Sequence, residues 1–148
     1  MDVEKIIKTK KVIPLESRTI IHIMLVNNKI MEIVASALKP FGVSIQQFNV
    51  LRILRGQQGK PSNLSTLNER MVTKMSNTTR LVDKLLSKGL VDRTTCESNR
   101  RKVEITITKK GSEMLAQMDA IMKKTESAIV GQLSNKELNE LNFLLNKF

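Results

Sequence analysis

Asn, Arg, Ser and Thr side chains can read the edges of base pairs, and between Thr73 and Ser87 this chain repeats them at helical spacing. At about 100° per residue, Thr73, Ser76, Asn77, Arg80, Asp83, Lys84 and Ser87 fall on one arc of a helix expected over roughly residues 73–88. Asn offers the paired donor and acceptor that adenine matches in the major groove. Arg grips guanine or phosphate, and Ser and Thr bond either. Met75, Thr78, Leu81, Val82, Leu85 and Leu86 gather on the opposite arc, which is the face that packs. An ordinary amphipathic helix with capping residues at its start has the same pattern, so the flanking sequence has to decide.

Gly89 can end that helix with a positive φ, and two strand-like runs follow. The first is Leu90-Val91. In the second, Val103, Ile105 and Ile107 alternate with Lys102, Glu104, Thr106 and Thr108, as a half-buried strand requires. The turn between them, from Cys96 to Lys102, carries the adjacent cations Arg100, Arg101 and Lys102 behind Asn99. A hairpin tip gains no stability from three neighbouring cations, whereas a polyanion does attract them. Basic helix, hairpin and basic tip together read as a winged helix-turn-helix.

Thr79-Arg80-Leu81-Val82-Asp83-Lys84-Leu85, then Lys88-Gly89-Leu90-Val91-Asp92-Arg93, Asn99-Arg100-Arg101 and Ile107-Thr108-Lys109-Lys110-Gly111 resemble the MarR family of bacterial transcriptional regulators in order and spacing. The resemblance spans most of the chain, with distinctive motifs from about Leu64 to Gly111. It implies a dimeric DNA-binding repressor or activator, often relieved by a small ligand or an oxidant. It also implies that Thr79 belongs with the DNA-binding residues and that Arg101 enters the minor groove. Arg100 is then a phosphate contact or a second inserting residue. Asn99 stands where the family commonly has aspartate, and Asn68 where it usually has a small residue, often alanine.

The bulk properties agree. The 148 residues, 41% hydrophobic and 26% charged, suffice for one globular domain. With 25 Lys and Arg against 14 Asp and Glu, the formal charge is +11, which favours polyanions. From Glu69 to Lys110 there are eleven basic and five acidic residues, so over half of the excess lies in the winged segment. Four Phe and no Trp or Tyr leave few stacking platforms for single strands, and double-stranded DNA is the expected partner. One Cys and one His exclude an intrachain disulfide and the usual zinc sets; no metal or other cofactor is expected.

The first helix, expected over about 16–39, and the helices expected over 112–148 bracket a winged unit of about 44–110 in a single MarR-like domain covering 1–148. The fold class is mostly α with a small antiparallel β-hairpin (α+β). Ser44 with Gln47, and Ser134 with Glu137, form capping boxes; Asn63 and Thr108 can cap two further helices. The outer helices carry more apolar positions than a small winged unit can cover, and the surplus points to a homodimer. The first 12 residues lack the apolar run of a signal peptide. His22, Asn27, Asn28, Lys29 and Glu32 interrupt the apolar stretch from Ile20 to Leu38. A cytoplasmic, nucleoid-associated protein with no membrane partner is expected.

No motif joins a nucleophile to a positioned base, so an enzyme is not expected. Cys96, beside the wing, is a poor oxidant sensor: some members of the family sense oxidants through a cysteine near the N-terminus, and this chain has none there. Family members bind aromatic or phenolic acids between the dimerisation helices and the winged domain. By position and type His22 and Phe48 are the candidates to contact such a ligand; the eight methionines are read as core filler. The leading expectation is a sequence-specific repressor on a pseudo-palindromic operator, and the alternative is a non-specific architectural DNA-binding protein without effector.

Overall fold

This computed structural model describes residues 1–72, 77–96 and 99–148, with residues 96 and 99–102 described by their backbone alone. A short helix, α1 (Val3–Ile6), leads into the long α2 (Leu15–Leu38), whose last turn tightens to 3₁₀ geometry over Lys39–Phe41. Gly42 closes that turn at φ +62°, a conformation only glycine adopts without strain. Then come α3 (Ile45–Gly56), α4 (Leu64–Arg70), α5 (Thr78–Ser87), the hairpin β1 (Val91–Cys96) and β2 (Asn99–Ile107), α6 (Lys109–Val130) and α7 (Asn135–Leu145).

The expected caps are present. Gln47 N donates to Ser44 Oγ at 3.2 Å while Ser44 N donates to Gln47 Oε1 at 3.1 Å, closing the capping box of α3. Thr66 N donates to Asn63 Oδ1 and Gly111 N to Thr108 Oγ1, both at 2.9 Å. Ser134 and Glu137 close the box of α7. The Ser134 backbone N–H holds the Glu137 carboxyl below the usual carboxylate range.

Two elements differ from expectation. The helix expected from Thr73 begins at Thr78, because the Asn77 side chain takes the Arg80 N–H at 3.1 Å and marks a start that apolar periodicity does not register. At the N-terminus, α1 had no counterpart in the sequence reading. Val3 is fully buried. Arg18 Nε and Nη2 donate to the two Glu4 carboxylate oxygens at 2.7 and 3.2 Å, fixing α1 to α2 and holding the Glu4 carboxyl below its usual range.

The strands pair antiparallel with Val91 opposite Ile107 and Arg93 opposite Ile105, and the register shifts between Thr95 and Cys96. Ser62 forms an isolated antiparallel bridge on the other edge of β2: its N–H donates to Ile105 O at 2.9 Å and Ile105 N–H returns the bond at 2.7 Å. Leu38, Phe48, Leu51, Leu54, Leu67, Val82, Leu85, Leu90, Ile105, Leu115 and Met118 form one core joining the end of α2 to α3–α5, the hairpin and α6. Outside it, Ile20 and Met24 of α2 are exposed, α7 buries no residue, and Phe143 and Phe148 are 64% and 86% accessible. The Leu15–Phe41 stretch, mean hydropathy 1.3, is long and apolar enough by composition to cross a membrane, yet its end, Leu38, is locked into the core.

Candidate nucleic-acid interface

α4 and α5 form the helix-turn-helix, and burial sorts the residues of α5 as a groove-reading helix requires. Thr78, Val82 and Leu85 are buried and Leu81 and Leu86 half-buried, while Thr79, Arg80, Asp83, Lys84 and Ser87 are exposed on the opposite arc. Asp83 pairs with Arg93 of β1, tying the helix to the base of the hairpin and neutralising the one carboxylate on the arc. Among the described residues Arg80 and Lys84 make no ion pair, so their charge is available to phosphate or guanine. The Asp83–Arg93 brace was not foreseen; both residues lie in the motifs quoted above, but only the hairpin brings them together.

The far end of α5 closes as a Schellman motif. Leu90 N donates to Leu85 O at 3.0 Å and Gly89 N to Leu86 O at 2.8 Å, with Gly89 at φ +67°. Two groups from the start of α6 cover the next two carbonyls: Lys110 Nζ donates to Lys88 O and Thr108 Oγ1 to Gly89 O, both at 2.8 Å. A cation at a helix C-terminus also complements the macrodipole. Lys88 in turn donates its Nζ to Gly42 O, where α2 gives way to the winged unit.

Asn77 sits at the mouth of α5 with its carboxamide oxygen committed to the Arg80 N–H, which leaves its NH₂ group for a base. Capping and base reading are therefore separable. Asn77→Ala is expected to lower stability by about 1 kcal/mol through the lost cap, whereas Asn77→Ser keeps the cap. Both should lose about 1 to 3 kcal/mol of discrimination at one base position. Urea unfolding combined with binding to single-base operator variants checks this; undiminished discrimination in the serine variant would remove Asn77 from the reading set.

Inside the helix-turn-helix, Thr78 Oγ1 donates to Asn68 Oδ1 at 3.3 Å, joining the start of α5 to α4. Asn68, standing where the family usually has a small residue, thus has a partner. Removing either member strands the other's polar group in a part-buried site. Asn68→Ala and Thr78→Val should each cost about 1 to 2 kcal/mol, and the double variant clearly less than their sum. Additive losses in denaturant titrations would mean that the pair does not interact.

Of the remaining expected site residues, Thr73 and Ser76 lie outside the described residues, as do the side chains of Asn99, Arg100, Arg101 and Lys102 and of Cys96. The backbone places Asn99–Lys102 at the start of β2, with Asn99 paired to Cys96 across the tip. His22 is half-buried on α2, and Phe48 is buried in the core beneath Arg52, whose guanidinium carbon stands 5.6 Å from the ring centroid. Neither residue lines the crevice between α2, α3 and α5, nor the apolar groove between α2, α6 and α7.

The MarR family model matches residues 43–103, which run from the start of α3 into β2. Among solved structures, a MarR transcription factor from Planctomyces limnophilus is 27% identical, with a TM-score of 0.73 over 93% of this chain and 100% of that one. A cysteine-to-serine mutant of MarR from E. coli, complexed with operator DNA, is 24% identical, with a TM-score of 0.76 over 99% of this chain and 98% of that one. The organohalide-sensing RdhR transcriptional regulator, in its 2,4-dichlorophenol-bound form, is 23% identical, with a TM-score of 0.84 over 92% of this chain and 80% of that one.

Proposed function

We propose that the chain is a MarR-family regulator, the family model matching residues 43–103, and that it is a dimeric transcriptional repressor that binds a pseudo-palindromic operator in double-stranded DNA and is released by a small effector. The exposed polar and cationic arc of α5, with Asp83 already paired and the basic stretch Asn99–Lys102 at the hairpin tip, is the observation that carries this reading. Thr73, Ser76, Asn77, Thr79, Arg80 and Lys84 serve the major groove, and Asn99, Arg100, Arg101 and Lys102 the backbone and minor groove. The similarity of fold to a regulator crystallised on operator DNA supports the partner. The similarity to one crystallised with 2,4-dichlorophenol supports an effector, for which His22 and Phe48 remain the candidates on an aromatic or phenolic ligand. The formal charge of +11 suits a cytoplasmic, nucleoid-associated protein.

Dimerisation is supported by the exposed apolar faces of α2 and α7 and by the groove between α2, α6 and α7, lined by Val26, Ile30, Ile33, Leu133 and Leu141. Two α5 helices related by a two-fold axis would enter successive major grooves about 34 Å apart. Selection of binding sites from a random duplex library should yield inverted half-sites at that spacing. A collection without consensus would instead favour the architectural alternative. In salt titrations on the selected site, Arg101→Ala should flatten the dependence of log K on log salt by about one unit; an unchanged slope would mean that the hairpin tip does not touch DNA.

A further inference from the structure

The buried arc of α3 is Gln47, Phe48, Val50, Leu51 and Leu54, and at about 100° per residue Asn49, Arg52 and Ile53 fall on the arc opposite. With Arg70 and Val72 from the end of α4 they line an open depression of about 300 Å³, to which neither α5 nor the hairpin contributes. Two guanidinium groups and no carboxylate line it. Neither arginine forms an ion pair among the described residues. Glu69, the neighbour of Arg70, has its carboxylate turned to Ser65, whose Oγ donates to it at 3.1 Å. Arg52 is held in place, its guanidinium carbon 5.6 Å from the centroid of the buried Phe48 ring and so within cation–π range. A cation fixed in advance loses less freedom on binding. Beside these charges Ile53 is half-buried and Val72 is 90% exposed. Among the described residues, every other exposed large apolar side chain lies up to Val26 or from Ile121 onward, so the faces assigned to the dimer leave Val72 unexplained.

We propose that this depression docks a partner protein through an acidic segment that carries an apolar side chain between its carboxylates. The forks of Arg52 and Arg70 match carboxylates bidentately, and arginine clusters of this kind recognise acidic motifs. The apolar side chain covers Val72 and Ile53. Charge alone would suit the DNA backbone equally, but a phosphate leaves Val72 and Ile53 wet, whereas an apolar side chain removes both from water. No residue of the exposed arc of α5 lines the depression, so the partner and duplex DNA are held at once. The docking surface stands on its own residues; only this simultaneous binding rests on the reading of the chain as a DNA-binding regulator.

The probe is a library of random peptides displayed on phage, selected on the immobilised full chain and counter-selected on Val72→Asp, which alters a side chain open to solvent and sets a carboxylate beside the arginines. Enriched sequences should share two or more acidic residues around a large aliphatic or aromatic one. The most enriched peptide, synthesised with a fluorescent label, should bind the full chain saturably. Arg52→Ala and Arg70→Ala should each weaken it about tenfold or more, and Arg52→Lys, which keeps the charge and loses the fork, should weaken it as well. Replacing the peptide's apolar residue by alanine should also weaken it, which bulk attraction to a chain of charge +11 would not produce. Circular dichroism checks that the variants fold, and their operator affinity and its salt dependence should be unchanged. No consensus, a consensus without carboxylates, or equal binding by the folded arginine variants would overturn the proposal. A flatter salt dependence on operator in Arg52→Ala or Arg70→Ala, with displacement of the peptide by duplex DNA, would assign the depression to phosphate instead. A chain that holds the peptide in this way but no duplex DNA would uphold the docking site and overturn the regulator reading.

Discussion

Gly111→Ala is expected to destabilise the fold by about 3 kcal/mol or more, at the upper end of what overpacking costs. A Cβ at this position would lie 2.1 Å from Leu90 O, 3.0 Å from Leu90 C and 2.9 Å from Ile107 Cγ1. The first two are backbone atoms with no rotamer to escape into. Leu90 is held from both sides, its N–H donating to Leu85 O at 3.0 Å and its carbonyl accepting from Thr108 N at 3.1 Å. Relief therefore requires α6 to move away from the end of α5. The gain in helix propensity from glycine to alanine, about 1 kcal/mol, is smaller than the clash. Against a total stability of about 5 to 15 kcal/mol, the loss should show directly in urea unfolding followed by circular dichroism. Gly56→Ala is the control: it also lies in a helix, nothing stands within 4 Å of its Cβ, and it should be neutral or stabilising. Equal midpoints for the two variants would mean that the packing of Gly111 against Leu90 does not limit stability.

Deletion of residues 134–148 is expected to convert a dimer into a monomer and to lower operator affinity by about 10² to 10⁴, the gain that linking two binding units supplies. The single chain gives α7 little reason to be a helix. None of its residues is buried, and Leu141, Phe143, Leu144, Leu145 and the following Phe148 are exposed. A capping box starts the helix, but an isolated helix this short is marginal in water, so tertiary or quaternary packing has to hold it. Ile20 and Met24 of α2 are exposed as well, and in the proposed dimer a second copy would supply the missing partner for both faces. Sedimentation of the full chain and the truncated chain, beside unfolding curves, separates dissociation from misfolding. A full chain that sediments as a monomer would rule out this arrangement, and a truncated chain that stays dimeric would move the interface away from α7.

What the sequence disclosed was mostly local. Ser44 with Gln47, Ser134 with Glu137, Asn63, Thr108 and Gly89 act within three residues of themselves, so their spacing in the chain is their spacing in space. The packing face of α5 was legible for the same reason, since Thr78, Val82 and Leu85 repeat at helical period and are buried. Its start was not. The helical pattern runs back through Met75 to Thr73, while the chain's own boundary is the single bond from Asn77 to Arg80 N, which periodicity does not weigh. Pairs distant in sequence stayed hidden as well: Glu4 with Arg18, Asn68 with Thr78, Asp83 with Arg93 and Lys88 with Gly42. The crevice was hidden most completely, because Lys39, Lys84 and Lys88 become neighbours only when α5 packs beside the end of α2.

The grip of Lys110 and Thr108 on the carbonyls of Lys88 and Gly89, just past the end of α5, has a consequence for the operator. β2 ends at Ile107 and α6 begins at Lys109, so no slack chain separates the hairpin from α6, and these two hydrogen bonds hold the start of α6 directly against the end of α5. In the proposed two-fold dimer, α6 would then work as the arm of a calliper whose tips are the two α5 helices. On the proposed reading, which letters are read would depend on the side chains of α5, but how far apart the two words stand would be set by α6 and α7. Substitutions along α6 should therefore alter the preferred gap between half-sites while leaving the half-sites themselves spelled as before.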